Sequence, residues 1–196
     1  MCFQRDALRK TIGFTNRFYM KKCIALISTG GTIEKTYDEL AGVLTNRVSV
    51  LDVMLGSLEL NGVELVRVPL LNKDSLEMDD ADHTLIATTA GSMAEAHEGV
   101  VIVHGTDRLV NTGERIVETL GTPEVPIVLT GAMRPYELRS TDAMQNLTEA
   151  LLAVQLVKPG VYVAMHNTVL QFPGVVKDHE QGTFIKPAGS REDASV

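Results

Sequence analysis

The chain has 196 residues, of which 44% are hydrophobic, 22% charged and 5% aromatic. This profile is typical of one globular domain with a sizeable core, and it excludes a wholly disordered chain. The chain carries 18 Lys and Arg against 25 Asp and Glu, a formal net charge of −7. Long-range attraction to nucleic acid or anionic lipid is therefore not expected. The longest apolar runs, such as 24–27 and 100–103, are far shorter than the ~20 residues of a membrane span.

The N-terminal segment is basic but has no apolar stretch of the kind found in secretory signals. We interpret residues 1–21 as a disordered leader, with translation starting at Met20 instead of Met1 as the alternative. Cys2 and Cys23 have neither the spacing of a metal site nor the density of a disulfide scaffold. These features favour a cytoplasmic location.

From residue 23 onward, short β-branched runs alternate with longer helical patterns, which is typical of βαβ units around a parallel sheet. The five predicted strands are Cys23–Ser28, Glu64–Leu71, Val100–His104, Pro126–Thr130 and Gly160–Met165. The predicted helices are Ser49–Leu60, Asp79–His97, Asp107–Leu120 and Ser140–Val157. We therefore expect an α/β three-layer sandwich over residues 22–187, built on a flavodoxin-like doubly wound sheet. A short final strand and a loose tail at 188–196 would end the chain.

Small and polar residues follow every predicted strand, and ligands of open parallel sheets bind at that edge. The segments concerned are Thr29-Gly30-Gly31-Thr32, Asp74-Ser75, His104-Gly105-Thr106-Asp107, Gly131-Ala132-Met133-Arg134-Pro135 and His166-Asn167-Thr168 leading to Lys177. Paired glycines bring the backbone close to a ligand and leave N–H groups free for an anion. The sequence therefore predicts a site at this edge.

A threonine hydroxyl at this edge is a candidate nucleophile once a base removes its proton, and the available groups are Tyr37, Lys177 and Asp107. Taken singly, each residue has a plainer interpretation. Thr106-Asp107 would serve as a helix cap, Lys177 as a surface lysine and Tyr37 as a half-buried loop aromatic.

The histidines that end two of the strands, His104 and His166, have no second ligand at metal-site spacing. We therefore interpret both as satisfied core or edge histidines and predict no metal.

Two motifs resemble those of the bacterial-type L-asparaginases, the threonine amidohydrolases that convert asparagine to aspartate and ammonia. Thr29-Gly30-Gly31-Thr32-Ile33 resembles the first family motif, and His104-Gly105-Thr106-Asp107 after Gly99-Val100-Val101-Ile102-Val103 resembles the second. The resemblance runs from about Lys22 to Lys186. Further matches are Asp74-Ser75-Leu76-Glu77-Met78, Gly131-Ala132-Met133-Arg134-Pro135 and Asn167-Thr168-Val169-Leu170 leading to Lys177.

The resemblance implies a role for each matching residue. Thr32 would be the primary nucleophile and Tyr37 the lid residue that activates it, whereas Thr106, Asp107 and Lys177 would form a second triad. That triad would assist deacylation or water attack, with Asp107 also holding the substrate α-amino group. The residues implied to bind substrate are Gly31, Ser75 (at the α-carboxylate), Leu76, Gly105, Thr106, Asp107 and Ala132 (through its carbonyl, at the leaving amide).

The chain departs from the family pattern in its length and in its lid. Full-length members add a C-terminal domain that closes the site of a neighbouring subunit, and this sequence stops near the expected linker. Tyr37 follows Thr32 by five positions, a short lid, and Leu76 stands where some members have a polar residue. Short asparaginases without the second domain resemble this sequence best, including the run Thr32-Ile33-Glu34-Lys35-Thr36-Tyr37.

The leading hypothesis is a short L-asparaginase without cofactor or metal. The alternatives are a glutaminase-asparaginase, the amidase subunit of a tRNA amidotransferase, and a non-catalytic amino-acid-binding module. A flavin-binding module is disfavoured because there is no Trp and few Tyr or Phe to stack on a flavin. We expect a homo-oligomer, because one small domain leaves the site open to water.

Overall fold

The computed structural model describes residues 21–46 and 49–187. The strands are β1 (Lys22–Gly30), β2 (Thr36–Asp38), β3 (Val43–Thr45), β4 (Val63–Lys73), β5 (Gly99–Val103), β6 (Pro126–Thr130), β7 (Gly160–Met165), β8 (Thr168–Gln171), β9 (Val176–Asp178) and β10 (Thr183–Ile185). The α-helices are α1 (Leu51–Gly56), α2 (Asp80–Ala96), α3 (Leu109–Leu120) and α4 (Ala143–Leu156). Residues 1–20 of the leader predicted at 1–21, and the whole tail predicted at 188–196, lie outside the described residues.

The central sheet has the strand order β4-β1-β5-β6-β7-β8. Its first five strands are all parallel, and in chain order they follow the flavodoxin-like 2-1-3-4-5 arrangement. The predicted α/β fold class and the five predicted strands are therefore confirmed, with strand ends within two residues of the expected ones. The carboxyl ends of these strands meet at one edge of the sheet.

The sequence did not predict the sixth strand, β8, which pairs antiparallel with β7. A two-residue turn of His166 and Asn167 joins them, with φ values of 53° and 60°. Such turns need a left-handed backbone at both central residues, and Asn-Gly is the pair that normally announces one. The pair His-Asn is less typical of such a turn, so the local sequence does not predict the hairpin. The hairpins β2–β3 and β9–β10 were also not predicted as such.

Side chains alternate between the two faces of the sheet and give two cores. On one face, Leu26, Val101 and Val103 pack with α1 and α4. On the other, Ile27 and Ile102 pack with α2 and α3. Every residue of β5, β6 and β7 is buried, which is expected of parallel strands covered on both faces. No helix in the described part of the chain has the length and hydropathy needed to span a bilayer.

Three helices begin two or three residues later than the sequence predicted, and α2 begins one residue later. Helix α1 starts at Leu51 and ends at Gly56, well inside the expected 49–60. Helix α3 starts at Leu109. Its N-cap residue is Arg108, whose side chain makes no capping hydrogen bond. The interpretation of Thr106-Asp107 as a helix cap is therefore wrong. Helix α4 starts at Ala143, because the carboxylate of Asp142 bonds to the loop after β6 instead.

Candidate active site

The loops that follow β1, β4, β5 and β6 pack against one another at the carboxyl edge of the sheet. Gly31 has φ 80°, and a Cβ placed on it would lie 2.4 Å from the Cα of Gly105. A Cβ on Gly105 would in turn lie 2.5 Å from Ser75 Oγ, and one on Gly131 would lie 2.4 Å from the carbonyl oxygen of His104. Glycine is thus required for contact between the predicted motifs.

Thr106, Asp107 and Lys177 come together at this edge although 70 residues separate Asp107 from Lys177. Lys177 Nζ donates to Thr106 Oγ1 at 3.0 Å and to Asp107 Oδ1 at 2.6 Å. The Lys177 side chain is only 11% exposed, so its interpretation as a surface lysine is wrong. The antiparallel pairing of β9 with β10 carries Lys177 opposite Phe184 and supports its position.

Thr32 begins a short 3-10 helix, Thr32–Glu34, directly after the glycine pair. Tyr37 lies on β2, opposite Leu44 of β3, and is 58% exposed. It is therefore more exposed than the half-buried loop aromatic expected from sequence. Within the described ranges, no hydrogen bond joins Thr32 to Tyr37. The catalytic roles of both residues stay predictions.

The turn after β4 contains Ser75 and Leu76 and places Ser75 beside Gly105. Ser75 is 1% exposed, and its Oγ has no hydrogen-bond partner in the described part of the chain. A buried hydroxyl without a partner is uncommon and fits a site that a polar ligand completes. Leu76 is largely exposed, and its N–H donates to Asp74 Oδ1.

The loop after β6, which contains the buried Ala132, is held by the carboxylate of Asp142. Asp142 accepts hydrogen bonds from the N–H groups of Met133 and Arg134 at 3.0 and 2.9 Å and contacts His166 Nε2 at 2.8 Å. Burial alone raises the pKa of Asp142, but these hydrogen bonds outweigh it and hold the pKa below its ordinary value. No sequence pattern marks Asp142 and its partners as a unit, because they meet only in the folded chain.

Two further contacts, which no sequence pattern marks, fix the segment around Thr32. Lys35 Nζ lies 2.6 Å from Asp74 Oδ2, and this ion pair lowers the pKa of Asp74. Asn46 Nδ2 donates to the carbonyl oxygen of Gly31 at 3.0 Å. Together they attach the β2–β3 hairpin to the turns after β1 and β4. Only the three-dimensional contacts reveal the ion pair, because 39 positions separate its two members and no local pattern marks them.

His104 is fully buried, and both of its ring nitrogens have partners. Desolvation lowers its pKa from 6.5 to about 4, so the ring is neutral at pH 7. The interpretation of His104 as a satisfied core histidine is confirmed. His166, the other strand-end histidine, contacts Asp142. Among the described residues, no group of three or more His, Cys, Asp or Glu side chains is placed to hold a metal ion.

The asparaginase N-terminal family model matches residues 23–184, nearly all of the described domain. The chain belongs to the asparaginase family. The predicted resemblance is thereby confirmed. The chain is 29% identical over 159 residues to the L-asparaginase of Thermococcus kodakarensis, covering 81% of this chain and 48% of that protein. It is 32% identical over 151 residues to a subunit of the glutamyl-tRNA(Gln) amidotransferase of Methanobrevibacter smithii, covering 76% and 34%.

Solved structures of asparaginase-family proteins superpose on the same domain. The thermostable L-asparaginase of Thermococcus kodakarensis matches with a TM-score of 0.76 and 30% identity, over 84% of this chain and 51% of that one. A probable cytoplasmic L-asparaginase of Campylobacter jejuni matches with a TM-score of 0.71 and 32% identity, over 85% and 52%. The chain thus spans about half the length of these family members.

The arrangement provides the groups that amide hydrolysis needs. A threonine hydroxyl, Thr32, follows a glycine pair, and a lysine bonded to a second threonine and an aspartate lies at the same edge of the sheet. A hydroxyl nucleophile attacks an acyl carbon, while nearby N–H groups and charges stabilise the oxyanion that forms. The buried hydroxyl of Ser75 is a further hydrogen-bond donor without a partner among the described residues.

Proposed function

We propose that this asparaginase-family chain hydrolyses the side-chain amide of L-asparagine to L-aspartate and ammonia. One observation carries the proposal: Lys177 Nζ lies within 3.0 Å of Thr106 Oγ1 and 2.6 Å of Asp107 Oδ1. Lys177 is 71 positions from Thr106 and 70 positions from Asp107 in the sequence. Their meeting at the edge of the sheet that also carries Thr32 is expected of a reaction site.

In the proposed reaction, Thr32 Oγ1 forms a bond to the side-chain carbonyl carbon, and the carbonyl oxygen becomes an oxyanion. The carbon–nitrogen bond then breaks, and the hydroxyl proton leaves with ammonia. Water attacks the resulting ester, which releases aspartate and returns a proton to Thr32. Lys177 and Thr106 assist the water attack, and splitting the hydrolysis into two steps lowers each barrier.

Substrate recognition in this proposal uses the charged ends of the amino acid. The Asp107 carboxylate attracts the α-amino group, and the Ser75 hydroxyl donates to the α-carboxylate. The carbonyl oxygen of Ala132 accepts a hydrogen bond from the leaving amide, while Gly31, Leu76 and Gly105 line the site. Tyr37, which is 58% exposed, would complete the lid over Thr32 in this scheme.

Two observations support alternative functions. The amidotransferase subunit of Methanobrevibacter smithii is as similar in sequence as the asparaginases, which favours an amidase that supplies ammonia from glutamine. The exposure of Tyr37, without a bond to Thr32, favours a module that binds an amino acid without hydrolysing it. A glutaminase-asparaginase is the intermediate case.

We also propose that the chain works as a homo-oligomer in the cytoplasm. The β2–β3 hairpin exposes apolar side chains beside the site, among them Tyr37, Leu40 and Val43. A second subunit over this hairpin would shield the reaction from water. Light scattering with size-exclusion chromatography tests the assembly, and an active species of only 21.3 kDa would contradict it. The cytoplasmic location is supported by the name of the Campylobacter relative and is tested by cell fractionation.

Ammonia release by the purified chain tests the activity, with L-asparagine and L-glutamine supplied separately. The wild-type chain should release ammonia from asparagine, whereas Thr32→Ala should not, although it should still bind aspartate. Thr148→Ala is the matched control, because Thr148 is exposed on α4 and its hydroxyl donates to the carbonyl oxygen of Met144. Release from glutamine alone would favour the amidotransferase role. An aspartate-induced thermal shift without any release would favour the binding module.

A further inference from the structure

A chain of buried hydrogen bonds lies behind the loop that carries Thr106 and Asp107. His104 Nδ1 lies 2.8 Å from the carbonyl oxygen of Gly105, and His104 Nε2 lies 2.8 Å from Thr112 Oγ1. The same hydroxyl lies 2.7 Å from His83 Nδ1. The two imidazole rings stack with centroids 6.3 Å apart and planes 18° from parallel. The chain of bonds thus joins α2 and α3 to the loop after β5.

The donor and the acceptor of each of these hydrogen bonds follow from the chemistry of the atoms that form it. A carbonyl oxygen only accepts, so His104 Nδ1 carries the hydrogen and His104 Nε2 of the neutral ring accepts. Thr112 must then donate its single hydroxyl hydrogen to His104 Nε2. The hydroxyl oxygen is left to accept from His83 Nδ1. Both rings are therefore in the Nδ1–H form, and the donation runs in one direction, from His83 to the carbonyl of Gly105.

The orientation of the Gly105–Thr106 peptide has a consequence for the site. In a trans peptide the C=O and the following N–H point in opposite directions. Since the Gly105 carbonyl points at the buried His104 ring, the Thr106 N–H points away from it. In the part of the chain that the structure describes, this N–H has no acceptor. The side chain of the same residue, Thr106, contacts Lys177.

We propose that His83, Thr112 and His104 are positioning residues that hold the Thr106 N–H toward the reacting carbonyl as an oxyanion donor. This inference rests on the proposed amide hydrolysis. The neighbouring backbone supports it, because His104 N–H donates to Thr130 O at 2.9 Å and thereby anchors the start of the loop to β6. Gly31 and Gly131 pack directly on the backbone of His104 and Gly105 and limit any tilt of the peptide.

Substitution of Thr112 distinguishes a positioning role from a role in substrate binding. Thr112→Val keeps the side-chain shape but removes the hydroxyl, so the two rings lose their shared partner. Because the oxyanion exists only in the transition state, kcat should fall about 10- to 100-fold, while the dissociation constant of aspartate should change less than about 3-fold. Thr112→Ser restores the hydroxyl and should restore kcat.

A matched control lies on the same helix. Thr119 donates its hydroxyl to Arg115 O on the exposed side of α3, so Thr119→Val should leave kcat unchanged. An equal loss of kcat in Thr119→Val and Thr112→Val would overturn the proposal. So would a loss in Thr112→Val that Thr112→Ser does not restore, or one that appears in aspartate binding and not in kcat.

The tautomers provide a test in the wild-type chain that needs neither activity nor a variant. Nitrogen-15 correlation spectra of the histidine rings should show His83 and His104 both in the Nδ1–H form at pH 7, and aspartate should shift the Thr106 amide signal. An Nε2–H signal from His104, or a Thr106 amide signal unaffected by saturating aspartate, would overturn the positioning role. If the tautomers and the amide shift are as expected but no ammonia is released, the proposed hydrolysis fails and the positioning of the Thr106 N–H stands.

Discussion

Burial of His104 makes the stability of the folded chain sensitive to acid between about pH 6.5 and pH 4. The ring has no exposed surface, and desolvation lowers its pKa from 6.5 to about 4. Between these two values the unfolded chain binds the proton and the folded chain does not. Stability is therefore complete above about pH 6.5 and is lost as the pH falls toward 4.

The magnitude follows from proton linkage. With pKa values of 6.5 and about 4, His104 lowers the free energy of unfolding by about 2 kcal/mol at about pH 5, and by about 3 kcal/mol once the folded form is also protonated. His83 acts in the same direction, because burial also lowers its pKa. Glu34 acts in the opposite direction, because burial raises its pKa and its protonation favours the folded chain.

Urea unfolding at about pH 5 and pH 8 measures this effect in the wild-type chain and in His104→Gln. The variant is expected to lose about 2 kcal/mol less on acidification, whatever its stability at pH 8, because the glutamine side chain does not titrate while Glu34 acts in both proteins. His179→Gln, at an exposed position, is the control and should lose as much as wild type. If His104→Gln and wild type have the same pH dependence, the burial argument is refuted. Should the variant not fold, a titration of the His104 ring signal in the wild-type chain measures the pKa directly.

Three other substitutions test the packing of the site. Gly31→Ala should lower the melting temperature by several degrees more than Gly42→Ala, because both have a positive φ but only Gly31 meets backbone atoms; equal effects in calorimetry would contradict the close-contact argument. Lys35→Met should raise KM in the ammonia assay by loosening the turn held by Asp74, and Lys35→Arg should keep it; salt-independent KM values for wild type would argue against the ion pair. Asp142→Asn should lower the free energy of unfolding by about 2 kcal/mol in urea titration, since charge-assisted hydrogen bonds are weakened, and an unchanged value would contradict that role.

The sequence motifs identify the family of the chain, whereas the contacts of the site come from the three-dimensional structure. The motifs at 29–33 and 104–107 predicted the asparaginase family, and the family match over residues 23–184 confirmed it. The contact of Lys177 with Thr106 and Asp107 could be expected from the resemblance but not from spacing, because 71 positions separate Lys177 from Thr106. Ammonia release from asparagine and from glutamine, measured separately, decides the substrate preference.

The sequence by itself determined the sheet, since parallel strands buried on both faces leave continuous apolar runs such as residues 100–103, whose short length and β-branched composition distinguish them from helices. It also determined which glycines and threonines lie at the strand ends. The tertiary structure alone decided the helix starts, the hairpin at His166-Asn167 and the partners of Asp142 and Thr112. These depend on side chains that meet across the fold, and local propensity holds no information about a partner tens of residues away.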